Sequence, residues 1–113
     1  MSKRDEKIEK YARDLREKAG VDVDMDLLTR VVIACGPTIY NSDSETVSSS
    51  DSGELHTVRD NWVMKKLGIA DEDEAMGGIQ KVIRDYGRDN RSKYRASLYY
   101  MLTTHFGKES ALT

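Results

Sequence analysis

VDVDMDLLTRVVIACGP, residues 21–37, is the stretch on which the fold class turns, because its β-branched run Val31, Val32, Ile33 suits a strand as well as a helix. Acids at its start suit a helix N-terminus, and Gly36-Pro37 closes it where a helix cannot continue. Leu27, Leu28, Val31, Val32, Ile33, Ala34 and Cys35 would cover most of a helical circumference. A strand here would need a partner of comparable strength, and nothing else in the chain offers one. The stretch is read as the central helix, 25–35, of an all-α domain.

Working outward, the preceding segment reads as a helix from Lys3 to Ala19, with Ser2 as cap and Gly20 as stop. Ile8, Tyr11, Ala12, Leu15 and Ala19 give it one apolar stripe among charged residues. On the other side, TIYNSDSETVSSSDSG is rich in side chains that compete with regular backbone pairing, which predicts an irregular connection with one or two helical turns. Ile39, Tyr40 and Val47 would pin it. Asp51 and Glu54 form a candidate capping box for a helix to Leu67, with Leu55, Val58, Trp62 and Val63 inward and Gly68 as terminator. Asp71 and Glu74 repeat the device for a helix to Tyr86, carrying Ala75, Ile79, Val82, Ile83 and Tyr86 on one face. Gly77-Gly78 inside it allows two readings, a close helix approach or a frayed first turn. Asn90 is expected to cap the last helix, which runs to Phe106 before Gly107.

The 113 residues fit one domain, 1–113, of five main helices. Apolar residues at 38% are enough for a core, and the lone Cys35 excludes a disulfide within the chain and fits a reducing cytoplasm as a small buried hydrophobe. No apolar run approaches the roughly 20 residues a membrane span needs. The start, MSKRDEKIEK, lacks the apolar stretch of a secretion signal, so a soluble cytoplasmic protein is expected. The net charge of −2 hides a layout. Residues 1–24 carry seven bases against seven acids, 25–77 four against ten, and 78–113 seven against three, giving 0, −6 and +4. An acidic middle and a basic end favour internal or head-to-tail pairing as readily as capture of a polyanion.

The chemical motifs fail on spacing. Asp22, Asp24 and Asp26 resemble the start of a calcium loop, but Leu27 and Ile33 occupy the positions that need Gly and an acid. Asn41, Asp43 and Glu45 fail the same test at Thr46 and Ser52. His56, His105 and Cys35 are too few and too dispersed for a structural zinc site. Ser48, Ser49 or Ser50 with His56 could supply a nucleophile and base, but no strand-turn-helix elbow presents the serine. No glycine-rich phosphate loop is present. No cofactor and no catalytic residue are therefore assigned.

What stands out is RDYGRDNRSKYRASLYYMLTTHFGK, residues 84–108. At helical spacing Tyr94, Leu98, Met101, Leu102 and His105 share a stripe, flanked by Tyr99 and Phe106. Tyr100 falls on the opposite side, beside Lys93, Ala96 and Thr104, and needs something else to bury it. Arg88, Arg91, Lys93, Arg95 and Tyr100 are thus the candidate contact surface. Tyr and Arg are favoured interface anchors, so the leading expectation is a non-enzymatic, self-associating interaction module. The alternative is weak nucleic-acid or polyanion binding through 88–95, which the acidic overall balance would make salt-sensitive.

YGRDNRSKYRASLYYMLTTHFGKES, with DMDLLTRV at 24–31, GPTIYN at 36–41, SETVSSSD at 44–51 and KKLG at 65–68, resembles a family of small uncharacterised bacterial proteins known only as a domain of unknown function. The resemblance covers nearly the whole chain. It implies a free-standing, helical, cytoplasmic bacterial protein and brings no activity, cofactor or catalytic residue.

Overall fold

Helix α1 (Lys3–Lys18) opens the computed structural model, which describes residues 2–87 and 92–112. The Ser2 hydroxyl caps it by accepting the Asp5 N–H at 3.1 Å, and the stripe Ile8, Tyr11, Ala12 and Leu15 is buried. The deciding stretch is helical: α2 (Met25–Cys35) starts where Asp24 Oδ1 accepts the Leu27 N–H at 3.2 Å. It buries Leu27, Leu28, Val31 and Val32 on one face only, and Ile33 is 53% exposed.

The serine-rich connection is more ordered than expected. A 3-10 turn (Gly36–Tyr40) leads to the short α3 (Ser42–Glu45), capped by Asn41, and then to strand β1 (Thr46–Ser48). Ile39 and Val47 pin it, while Tyr40 stands 50% exposed and does not. Asp51 caps α4 (Ser52–Val58) by accepting the Gly53 and Glu54 N–H groups. The Glu54 carboxylate departs from a capping box: it accepts the Ser48 N–H at 2.5 Å and so ties the helix to β1. From Arg59 to Met64 the coil widens to a π-helical segment that buries Trp62 and Val63. Helix α5 (Glu72–Tyr86), capped by Asp71, buries Ala75, Gly78, Ile79, Val82 and Tyr86.

The last helix differs most from expectation. Residues Ser92–Tyr94 form strand β2, antiparallel to β1 with Thr46 opposite Tyr94, Val47 opposite Lys93 and Ser48 opposite Ser92. Helix α6 (Arg95–His105) begins only after it, and Asn90, the expected cap, lies outside the described residues. Tyr94 is extended backbone ahead of the helix, not part of its stripe, and His105 is exposed. Every residue from Ala96 to Thr103 is buried, because α6 packs against α1, α2 and α5 and against the π-helical segment. The central helix is therefore α6, not α2. Several of its polar tips find partners inside the fold, while the buried Ser97 hydroxyl has no hydrogen-bond partner among the described residues. Tyr100 Oη accepts the Asp24 N–H at 2.8 Å, and Thr103 Oγ1 accepts the Trp62 indole N–H at 3.2 Å while donating to the Tyr99 carbonyl at 2.8 Å.

Close approach, rather than a frayed turn, explains Gly78. A Cβ there would lie 2.7 Å from Cε2 of Phe106 and nearer still to Cζ, whereas one on Gly77 would meet nothing. Gly77→Ala should therefore stabilise by about 1 kcal/mol through helix propensity. Gly78→Ala should lose that gain by pushing the Phe106 ring off α5, leaving the protein about 1 kcal/mol less stable than Gly77→Ala. Phe106→Ala should restore the gain. Urea unfolding of the single and double variants checks this, and equal stabilisation at both glycines in the presence of Phe106 would overturn it.

Candidate functional site

Of the five residues picked out as a contact surface, Arg88 and Arg91 lie outside the described residues. Of the other three, Tyr100 and Lys93 are buried and Arg95 is half-buried. Tyr100 is 3% exposed and covered by its own chain, so no partner is needed to bury it. Its hydroxyl closes the approach to α2 through Asp24.

Lys93 is fully buried on β2 opposite Val47. Its Nζ stands 5.5 Å from the centre of the Tyr86 ring and 3.4 Å from Ser49 Oγ. Burial lowers its pKa, Asp14 opposes that by favouring the cation, and Lys18 adds to the lowering. Asp14, itself buried, accepts the Tyr86 phenol proton and lies 3.6 Å from Lys18 Nζ. The basic stretch thus contributes a core charge here, not a phosphate contact. Sequence periodicity missed it because a lysine inside a strand of three residues carries no amphipathic signal.

A second polar cluster gathers on Glu45 at the end of α3. Its Oε2 accepts from Lys7 at 2.8 Å, Lys10 at 3.2 Å and the Tyr11 hydroxyl at 2.6 Å. Burial raises the Glu45 pKa, but these three donors outweigh it and the net shift is downward. Lys10 also lies over the Tyr94 ring, 4.5 Å from its centre, and Tyr94 packs on Tyr11 with centroids 5.2 Å apart. Glu45, once weighed as part of a cation loop, is therefore an anchor between α3 and α1. Asp24 and Asn41 are likewise helix caps. Among the described residues, no group of three or more His, Cys, Asp or Glu could hold a metal ion.

Arg95 occupies a different setting. It opens α6, and its Nε donates to the Ser44 carbonyl at 2.7 Å and an Nη to the Tyr99 hydroxyl at 2.9 Å. No carboxylate among the described residues pairs with it. The guanidinium borders an open cleft of about 390 Å³ lined by Ala34, Cys35, Thr38, Thr57, Asn61 and Trp62 together with Ser44 and Tyr99. Trp62 and Tyr99 stack on each other at 4.3 Å and 16°, and both border the cleft. Burial pushes the Cys35 thiol up to about 12 despite the opposing pull of Arg95, so the thiol is neutral at physiological pH. Sequence reasoning named Arg95 and missed the cleft, whose walls come from four separate segments.

The serine-histidine constellation does not assemble. His56 borders a groove with Ser52, Leu55, Met76 and Gln80, a lining without Ser48, Ser49 or Ser50. The Ser48 and Ser50 hydroxyls instead bond to each other at 3.1 Å.

Fold and site together define a small all-α protein with an apolar core that holds a few buried polar side chains, and with a cleft bordered by Arg95; none of its described helices is long and apolar enough to cross a membrane. Residues 10–110 match the family described as "Protein of unknown function (DUF2853)", and the chain belongs to that family. No curated protein matches it.

Proposed function

We propose that this protein is a non-enzymatic interaction module that self-associates, with Arg95 as the contact cation. The observation that carries this is the half-buried Arg95 guanidinium facing a cleft with no carboxylate of its own. A desolvated cation is costly unless something of opposite charge meets it. The exposed acids Asp71, Glu72, Asp73 and Glu74 on a second copy have the required sign. Head-to-tail pairing of this kind agrees with the −6 and +4 balance of the middle and final thirds. The polyanion reading draws less support, since burial withdraws Lys93 from any phosphate and the Arg95 fork is partly spent on Ser44 and Tyr99.

Sedimentation equilibrium over a wide concentration range is the test. The mean mass should rise with concentration at low salt, and the rise should shrink in high salt and in Arg95→Gln. A strict monomer under all conditions would remove self-association.

A further inference from the structure

We propose that the Arg95 cleft is a recognition site for a carboxylate carried on an apolar or aromatic body. This rests on the reading of Arg95 as the contact cation and adds the chemistry of what it contacts. Arg95 has five N–H groups, of which one donates to Ser44 and one to Tyr99, leaving three for a ligand. A guanidinium with adjacent free donors matches a planar carboxylate in a forked pair.

The rest of the lining discriminates further. The Thr38 hydroxyl donates to the Cys35 carbonyl at 2.9 Å, Thr57 to Gly53 at 3.1 Å and Ser44 to Thr38 at 2.8 Å. Their protons are committed to backbone oxygens, so the hydroxyls offer little to an anion. Asn61 is exposed, and its amide has no protein partner among the described residues, which makes it the second available donor. Ala34, Cys35 and the edges of Trp62 and Tyr99 supply apolar surface beside these two donors. The neutral thiol neither repels an anion nor attacks it. One cation, one amide and an apolar wall suit a monocarboxylate with a hydrophobic tail; a chain of phosphates would require several cations. The volume of about 390 Å³ falls in the range of small-ligand clefts.

Two sources could present this chemistry, a free organic acid or a peptide ending in a carboxylate next to an apolar residue. Trp62 is the chain's one tryptophan and sits in the cleft wall, so its fluorescence reports occupancy. The experiment titrates the full chain with phenylbutyrate against phenylbutyramide, and with a short acetylated peptide ending in free leucine against its C-terminal amide. The expected result is saturable Trp62 quenching by at least one carboxylate and none by its amide. Arg95→Gln should weaken binding about tenfold or more, and the surface control Arg84→Gln should leave it unchanged. Thr57→Glu places a negative charge at the rim without touching Arg95 and should weaken binding as strongly, which keeps the test sound if Arg95→Gln fails to fold. No saturable response at millimolar carboxylate, equal binding of acid and amide, or binding indifferent to Thr57→Glu would each overturn the site. Binding of the free acid alone, by a chain that remains monomeric, would uphold the site while defeating the interaction-module reading. Tighter binding of the peptide would uphold the site and a protein partner for it, with sedimentation deciding whether that partner is a second copy.

Discussion

Asp14→Ala should cost about 3–5 kcal/mol of stability, while Lys93→Met should change it by less than about 1 kcal/mol. The asymmetry follows from what each substitution leaves behind. Asp14 is 6% exposed and its charge favours the buried Lys93 cation. It is also the acceptor of the Tyr86 phenol proton. Removing it withdraws an acceptor and a counter-charge from a buried site, so both desolvation penalties stand. Removing the Lys93 charge instead leaves Asp14 with Tyr86 and with half-exposed Lys18, and methionine fills nearly the same volume. The double variant should be more stable than Asp14→Ala alone, because it removes a buried cation that has lost the counter-charge of Asp14. Urea unfolding followed by circular dichroism measures all three. Equal losses in both single variants, adding in the double, would show that the two charges are not coupled.

This buried pair also shows where sequence reasoning stopped. Helices whose apolar residues fall on one face were legible, because a single stripe has one packing solution: Ile8, Tyr11, Ala12 and Leu15 of α1, and Ala75, Ile79, Val82 and Tyr86 of α5, are buried as the spacing predicts. Caps were legible for the same local reason: Ser2, Asp51 and Asp71 each accept N–H groups in the first turn of the helix they were expected to open, and one of the acids before α2, Asp24, does the same. The α6 environment was not legible. A helix buried all round has no polar face to set its phase, and the tips of Tyr100 and Thr103 read as surface until their partners Asp24 and Trp62 are brought from distant segments. The short β1–β2 pair was invisible too, since three residues per strand give no usable alternation. Tyr100 and Lys93 looked surplus because the elements that absorb them lie more than forty positions away. Arg95 alone among the described candidates keeps an unspent charge, and that difference appears only when its neighbours are counted in space.

Unfolding at alkaline pH should be steep, and it follows from the same internal tyrosines. Burial raises the pKa of Tyr11, Tyr86 and Tyr99 above the ordinary value. The carboxylates of Glu45 and Asp14 raise Tyr11 and Tyr86 further, while Arg95 partly offsets the rise at Tyr99. Groups held above their unfolded pKa contribute stability that is intact below about pH 10 and is lost as pH rises past it, because the unfolded chain releases protons that the native one retains. Tyr11 and Tyr86 each contribute about 1.4 kcal/mol per pH unit, together about 3 kcal/mol per pH unit, and Tyr99 acts in the same direction. Cys35 adds to this from about pH 9 upward, since its thiol is pushed up to about 12 in the fold. Lys93 works the other way, because burial lowers its pKa and its contribution grows as pH rises, but only until the unfolded lysine also deprotonates near pH 10.5. Above that the phenols dominate, and a domain near the low end of ordinary stability, about 5–10 kcal/mol, should unfold at about pH 11–12. The helical dichroism and the tyrosinate absorbance should therefore change together in one cooperative step. Tyr11→Phe removes one of the retained protons and should flatten the pH dependence by about 1.4 kcal/mol per pH unit. Smooth ionisation of all six tyrosines with the helices intact beyond pH 12 would show that the phenols of Tyr11, Tyr86 and Tyr99 reach solvent without unfolding.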